Sequence, residues 1–473
     1  MNADYSTYLS PFTWRYGSPE MRHIWSEEHK RKLWRRIWVA LAEAQSEFGI
    51  LSGEQAADLR QHMQDVDVPR ALEIEAEIHH DLMAELKTFA EQASLGGGIL
   101  HLGATSADIE DNADVLRMRL SLDLILRKLQ PLLLDLAGKV ETWAELPLIA
   151  FTHLQPAEPT TLGYRLAVYA QDLYMDWQEL TRQRLQLRGK GFKGAVGTSA
   201  AYADLLGSEN LEHFERRLSE MLELPFFPIT TQVYPRQQDY RVVSALSGLG
   251  GSLYKFAFDL RLLQAPMIGE LGEPFSARQV GSSAMPFKRN PVQAEKLDSL
   301  GRMLAQMPPV AWNNAAHSLL ERTLDDSANR RTLLPEAFLI ADEMLEVANR
   351  ILAGLRVNQA AMQHNLSVYG PFAALERLLV RLAKAGADRQ AMHERLRLHA
   401  MTAWEAVQLG EPNPLAEIIT KDTEITDFLS AEELNGWMDA ARYVGDAPQR
   451  ARQFARKVNE MLGSTVLGGD LTL

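Results

Sequence analysis

The sequence contains no cysteine. That excludes a disulfide framework, a Cys-ligated zinc, an iron–sulfur cluster and a thiol nucleophile. Long apolar runs are missing too. The densest stretch, Leu120 to Leu136, is interrupted by Asp123, Arg127, Lys128 and Asp135, which argues against a membrane span. The opening residues, MNADYSTYLSPFTWRYGSPEMRHIW, lack a basic-then-apolar leader pattern, so a cytoplasmic protein with no membrane partner is expected. Positive charge is in deficit: 49 Lys+Arg face 62 Asp+Glu, a formal net charge of −13. That balance argues against a nucleic-acid-coating surface while leaving room for a local basic site. Strand signals are sparse. The best, Ile229–Tyr234, is bounded by Pro228 and Pro235 and reads as a linker or a small hairpin.

What is present is helical periodicity. The 473 residues, 46% of them hydrophobic, are enough for about three domains with sizeable cores. After Val115 the apolar positions Met118, Leu122, Ile125, Leu129, Leu133, Leu136, Val140 and Trp143 recur in steps of three and four. Val242, Leu246, Leu249, Leu253, Phe256, Leu260 and Leu263 form a stricter seam, as left-handed bundle packing requires. Further helices are expected near 163–187, 292–312 and 333–355, with Pro308-Pro309 breaking the second of these. The reading is all-α: an N-terminal helical domain over 1–111, a central long-helix bundle over 112–357 and a C-terminal helical domain over 358–473. Gly248-Leu249-Gly250-Gly251 sits inside the seam with no preceding strand, so it predicts close helix packing rather than a dinucleotide loop.

Four segments carry residues suited to chemistry. Gly281–Pro291 (GSSAMPFKRNP) combines small residues, two prolines and two cations between helices, which suits a loop closing over an anion and equally suits a linker before a helix. Phe151–Thr161 (FTHLQPAEPTT) sets His153 among hydroxyl and amide groups, a setting for proton transfer or for a buried histidine ahead of a helix capped by Thr160 or Thr161. In His101–Asp108 (HLGATSAD), Thr105 and Asp108 fit a capping box, and the free N–H groups of such a helix start can also meet an anion. Glu321–Arg331 (ERTLDDSANRR) offers arginines for bidentate recognition of phosphate or carboxylate, or for pairing with its own aspartates on a helix surface. His79-His80-Asp81 lacks the spacing of a metal site if it lies on a helix, since neighbours project about 100° apart there.

Together these segments resemble the fumarase/aspartase superfamily, whose GSSxMPxKxNP signature matches Gly281–Pro291. Within it, Thr152–Thr161 (THLQPAEPTT), Gln232–Asp239 (QVYPRQQD) and Glu321–Arg331 are similar to the adenylosuccinate lyase family, as are Arg15–Met21 and His101–Asp111. The resemblance weakens in the last hundred residues to fragments such as Tyr443–Gln449. It implies a homotetramer with a shared central helix bundle, active sites built from three subunits, and no cofactor or metal. The implied reaction is β-elimination of fumarate from adenylosuccinate, and from the succinylated imidazole carboxamide ribotide. The small-molecule partner is thus an anionic nucleotide.

The resemblance also implies roles. Ser282 is the base; a serine needs desolvation and nearby positive charge to act so, and Lys288 is the cation closest in sequence. Lys288 and Asn290 hold the succinyl carboxylates, His153 is the general acid, and His80 supports the acid near the phosphate. Arg15, Tyr16, Asp81, Thr105, Ser106, Gln232, Arg322, Ser327 and Arg331 match binding positions. Three places depart from the family pattern: His79 where an Arg often precedes His-Asp, Gln237-Gln238 after Pro235-Arg236, and Lys296 in place of a ligand-contacting Arg. Lysine meets an anion without the bidentate geometry of arginine. The alternatives are another superfamily lyase, such as an argininosuccinate lyase, or a catalytically dead structural member. Gln232–Asp239 and Glu321–Arg331 argue against the first, and the joint presence of Ser282, Lys288 and His153 against the second.

Overall fold

In the computed structural model of the chain, the periodic apolar positions become the longest helices. The structure describes residues 6–276, 278, 281 and 283–463. The helix Ser106–Thr142 runs for 37 residues, Gln237–Gln264 for 28, Ser327–Ala353 for 27 and Leu162–Gln186 for 25. The seam from Val242 to Leu263 is buried along its whole length, as are Met118, Leu122, Ile125, Leu129, Leu133, Leu136 and Val140. Each such side chain contributes about 1.5–3 kcal/mol through burial. The Ser106–Thr142 helix packs against Leu162–Gln186, Ser327–Ala353 and the last helix, Ala447–Gly463.

Ion pairs fix the directions of these helices. Arg236–Asp111 at 3.0 Å and Arg330–Asp239 at 2.8 Å hold the starts of Ser106–Thr142, Gln237–Gln264 and Ser327–Ala353 together at one end of the bundle. At the other end Tyr169 donates to Asp259 at 2.8 Å, and Arg261 pairs with Asp298 at 2.6 Å. Leu162–Gln186 and Val292–Leu304 therefore run antiparallel to the first three. Pro308 starts a separate helix, Pro308–Ala316, so the proline pair ends the Val292 helix as expected. The glycine cluster does serve close packing: a Cβ on Gly250 would lie 3.0 Å from the Leu304 side chain.

Residues 229–234 are an irregular linker, the first of the two readings offered for them. Two other local expectations are corrected. The larger antiparallel hairpin pairs Pro147–Thr152 with Gln155–Thr161. Pro156 and Pro159 hid that second strand, because proline removes a ladder donor; it is tolerated here in a two-stranded ribbon, where each strand is an edge. His79-His80-Asp81 is not within one helix. His79 (φ 56°) ends the helix Val68–Ile78, and His80 caps the helix Asp81–Gln92. A second core, including Leu378, Leu382, Leu396, Ile419 and Leu434, lies within the helices from Leu375 to Met438. The chain then returns, and Ala451, Val458 and Leu462 join the main core. Residues 464–473, the end of the expected C-terminal domain, lie outside the described residues. Among the described residues, no helix is long and apolar enough to cross a membrane.

Candidate active site

The site residues named from the sequence fall into three groups, set by the lengths of the elements that carry them. The largest group gathers at the head of the Ser106–Thr142 helix. Asp108 accepts from the Thr105 N–H at 3.0 Å, the capping interaction expected from the sequence, and so fixes the turn that presents Thr105 and Ser106. Ser106 Oγ lies 3.5 Å from His80 Nε2. His80 Nδ1 accepts from the Met83 N–H at 3.4 Å, so in the neutral ring the proton sits on Nε2 and faces Ser106. Next door Asp81 pairs with Arg331 at 2.8 Å. Burial works to raise the Asp81 carboxyl, but Arg331, Lys30 and the Leu82 N–H outweigh it and hold the group below its ordinary value. An ionised Asp81 keeps the half-exposed guanidinium in place while leaving it donors for a ligand.

Arg322 and Ser327 line the same cavity, of about 150 Å³, as Asp81 and Arg331. Behind it is a bracket that the sequence reading did not separate from the ligand-binding arginines. Arg236 bonds both Asp111 oxygens, at 3.0 and 3.1 Å, and Asp326 at 2.7 Å. Arg330 bonds Asp239 and the Tyr234 hydroxyl, each at 2.8 Å. Arg236 and Arg330 are buried and committed to these partners. The arginine–aspartate pairing is thus mainly between elements rather than along one helix, although Arg322 does pair with Asp326 at 2.9 Å. The signal available was Asp111 and Asp114, acidic positions on an otherwise apolar helix face. Gln232 joins this end of the bundle through its N–H, which donates to the Glu321 carbonyl at 3.1 Å. Of the departing pair, Gln238 is buried and bonds the Arg188 backbone at 2.9 and 3.0 Å, whereas Gln237 is exposed.

The second group lies along the Ser327–Ala353 helix and at the tail of Gln237–Gln264. Lys296 pairs with Glu343 and lies 4.7 Å over the Tyr16 ring. Gly17 donates to Glu343 at 2.9 Å and Ser18 to Asp342 at 2.6 Å, which docks the Arg15–Ser18 turn on that helix. Gly17 has φ 78°, and a Cβ there would come within 2.6 Å of Leu339, so the turn requires glycine. Arg15 is exposed beside Trp14. In the signature segment Asn290 donates to the Gly281 carbonyl at 3.0 Å, closing the loop at its base, and Lys288 is exposed. Ser282 lies outside the described residues.

His153 forms the third group, at the tip of the hairpin. His153 (φ 53°) and Leu154 (φ 61°) are the two central residues of the turn, and both are exposed. Two consecutive positive φ values are what a two-residue turn needs to match the strand twist, but they strain non-glycine residues, leucine above all. Thr161 caps the following helix by accepting from the Tyr164 N–H at 3.2 Å, as the sequence suggested.

Neither the hairpin nor the signature segment meets the first group within one chain. The 37-residue helix separating Ser106 from the hairpin is about 55 Å long at 1.5 Å per residue. A six-residue strand folded straight back along it recovers only about 20 Å. Likewise the 28 residues of Gln237–Gln264 put about 40 Å between the Gln232 end and the signature segment. Among the described residues, no group of three or more His, Cys, Asp or Glu is placed to hold a metal.

A sequence profile described as "Lyase" matches residues 14–305. The fold is shared with a 3-carboxy-cis,cis-muconate lactonizing enzyme from Pseudomonas putida at TM-score 0.84 and 27% identity, over 95% of this chain and 99% of that one. A fumarate lyase from Mesorhizobium sp. BNC1 superposes at 0.81 with 25% identity, over 97% and 100%. Bundle, hairpin and matched region thus define a lyase of the fumarase/aspartase type. A second profile, "Adenylosuccinate lyase C-terminus", matches residues 371–454. Adenylosuccinate lyases of Schizosaccharomyces pombe (35% identical, over 96% of this chain and 95% of that one) and Schistosoma mansoni (39%, over 95% of each) align almost end to end. That of Archaeoglobus fulgidus is 34% identical over 96% and 99%. The chain belongs to the adenylosuccinate lyase family.

Proposed function

We propose that this chain cleaves adenylosuccinate to fumarate and AMP by β-elimination, and removes fumarate in the same way from the succinylated imidazole carboxamide ribotide. The observation that carries the reading is the arrangement at the head of the Ser106–Thr142 helix, where Arg331, fixed by Asp81, stands beside the His80–Ser106 pair. Guanidinium, hydroxyl and imidazole donors converge there with capacity to spare, which suits the phosphate of a nucleotide. In this reading Ser282 takes the proton from the carbon next to a carboxylate. Lys288 and Asn290 hold the succinyl carboxylates and stabilise the carbanion. His153 returns a proton to the leaving nitrogen, a role worth about 10²–10⁴-fold in rate.

The working unit is a homotetramer in which each site draws residues from different subunits. Support comes from the lengths above: the His80 group lies at the opposite end of the long helices from the His153 and signature groups, while antiparallel packing of copies brings opposite ends of long helices side by side. A cytoplasmic location accords with the absence of a membrane-crossing helix among the described residues. The test follows adenylosuccinate by its absorbance change and identifies fumarate as product. Turnover of adenylosuccinate with argininosuccinate left intact is expected. Cleavage of argininosuccinate instead would overturn the assignment.

A further inference from the structure

One carboxyl group in the cation-lined cavity has no counter-ion. Five carboxyl and six cationic side chains line that cavity. Glu27 pairs with Lys30 at 2.7 Å and Asp81 with Arg331 at 2.8 Å. Asp111 pairs with Arg236 at 3.0 Å, and Asp114 with both Arg117 and Arg330. The sixth cation, Arg322, is taken by Asp326 from behind. Among the described residues, Glu110 is the lining carboxyl with no ion pair. It follows Ser106 by four residues on the same helix, so the two share a face, Glu110 one turn further in. Burial, reinforced by Asp81, Asp111 and Asp114 and opposed by Arg331, raises its carboxyl to about 8.

We infer that Glu110 is a specificity-determining residue of the anion site, one that must hold its proton for the phosphate of a mononucleotide to settle against Arg331. The inference rests on the nucleotide reading of this cavity given above. With the proton in place, Glu110 adds no negative charge to the lining, and its hydroxyl is a donor to a phosphate oxygen. Without it, a fifth carboxylate repels the dianion and competes for the Arg331 guanidinium. Each of the neighbouring acids has a cation within 4 Å, which Glu110 lacks. Glu110 thus couples phosphate affinity to one proton.

Titration calorimetry of the full-length wild type and of Glu110→Gln with AMP, between pH 7 and pH 9, tests this directly. The AMP phosphate, with a second pKa of about 6, is mostly dianionic across that range, and its residual titration is common to both proteins. The ratio of wild-type to variant dissociation constants should rise about tenfold from pH 7 to pH 9, since only the wild type must bind a proton together with the ligand. Taking the ratio cancels other groups that titrate in the same window. Adenosine, which lacks the phosphate, should show no such rise. A ratio that stays flat, an equal rise with adenosine, or no AMP binding by the wild type would each overturn the inference. Turnover of adenylosuccinate by the same preparation separates the two readings: a flat ratio with turnover intact removes the role of Glu110 alone, whereas a rising ratio without turnover removes the reaction and keeps the phosphate site.

Discussion

The proposed sharing of each site between subunits has a quantitative consequence. His80 stands 3.5 Å from Ser106 at the head of a 37-residue helix, and His153 lies on a hairpin beyond the far end of that helix. With about 55 Å of helix and about 20 Å of strand reach, more than 25 Å separates them in one chain. A site that needs both must take them from two copies. His80→Ala and His153→Ala should each lose about two to four orders of magnitude in kcat when purified alone. Mixed in equal amounts, denatured and refolded, they form tetramers in which each contributing chain is intact at the residue it supplies half the time. About one quarter of the sites then hold both histidines, so activity should recover to about 25% of wild type. Distinct tags on the two chains verify mixing, and the adenylosuccinate absorbance assay reads the activity. Tetramers carrying both tags that remain at the single-variant level would refute the geometry, because both residues would then serve the site from one chain.

Other outcomes follow from single positions. His153→Gln should remove one limb of the bell-shaped pH–rate profile along with most of kcat; an unchanged profile would make the residue a turn former only. Arg331→Ala should raise KM by about tenfold or more with a smaller effect on kcat, because its guanidinium is poised for ligand binding rather than proton transfer; a loss confined to kcat would place it on the transition state. Glu110→Gln should also change stability with pH. A carboxyl at about 8 in the folded chain against 4.5 in its ordinary state binds more protons when folded, so the wild type loses stability as pH rises between those values. The melting temperature of the variant should therefore gain on the wild type from pH 5 to pH 8 and level off above; parallel curves would contradict the raised carboxyl.

The sequence by itself determined the helices and the chemistry of the motifs. A stripe such as Val242–Leu263 can be buried only on a helix packed against others, so periodicity reports the bundle before any contact is known. Thr105–Asp108 and Thr161 announced two helix starts, because a cap is a local interaction completed within four residues. Local patterns did not show the hairpin that carries His153. Its prolines argue against a strand, and its strained turn uses histidine and leucine where glycine or asparagine would have signalled it. Nor did sequence separate Arg330, buried against Asp239 and Tyr234, from its neighbour Arg331, which faces the cavity beside Asp81. Adjacent residues on a helix point about 100° apart, and only the packing of other elements decides which of them meets a counter-ion and which meets solvent. Glu110 shows the same limit. Its side chain is an ordinary glutamate in the sequence, and it became unusual only when tertiary structure gave each neighbouring carboxylate a cation and left this one without.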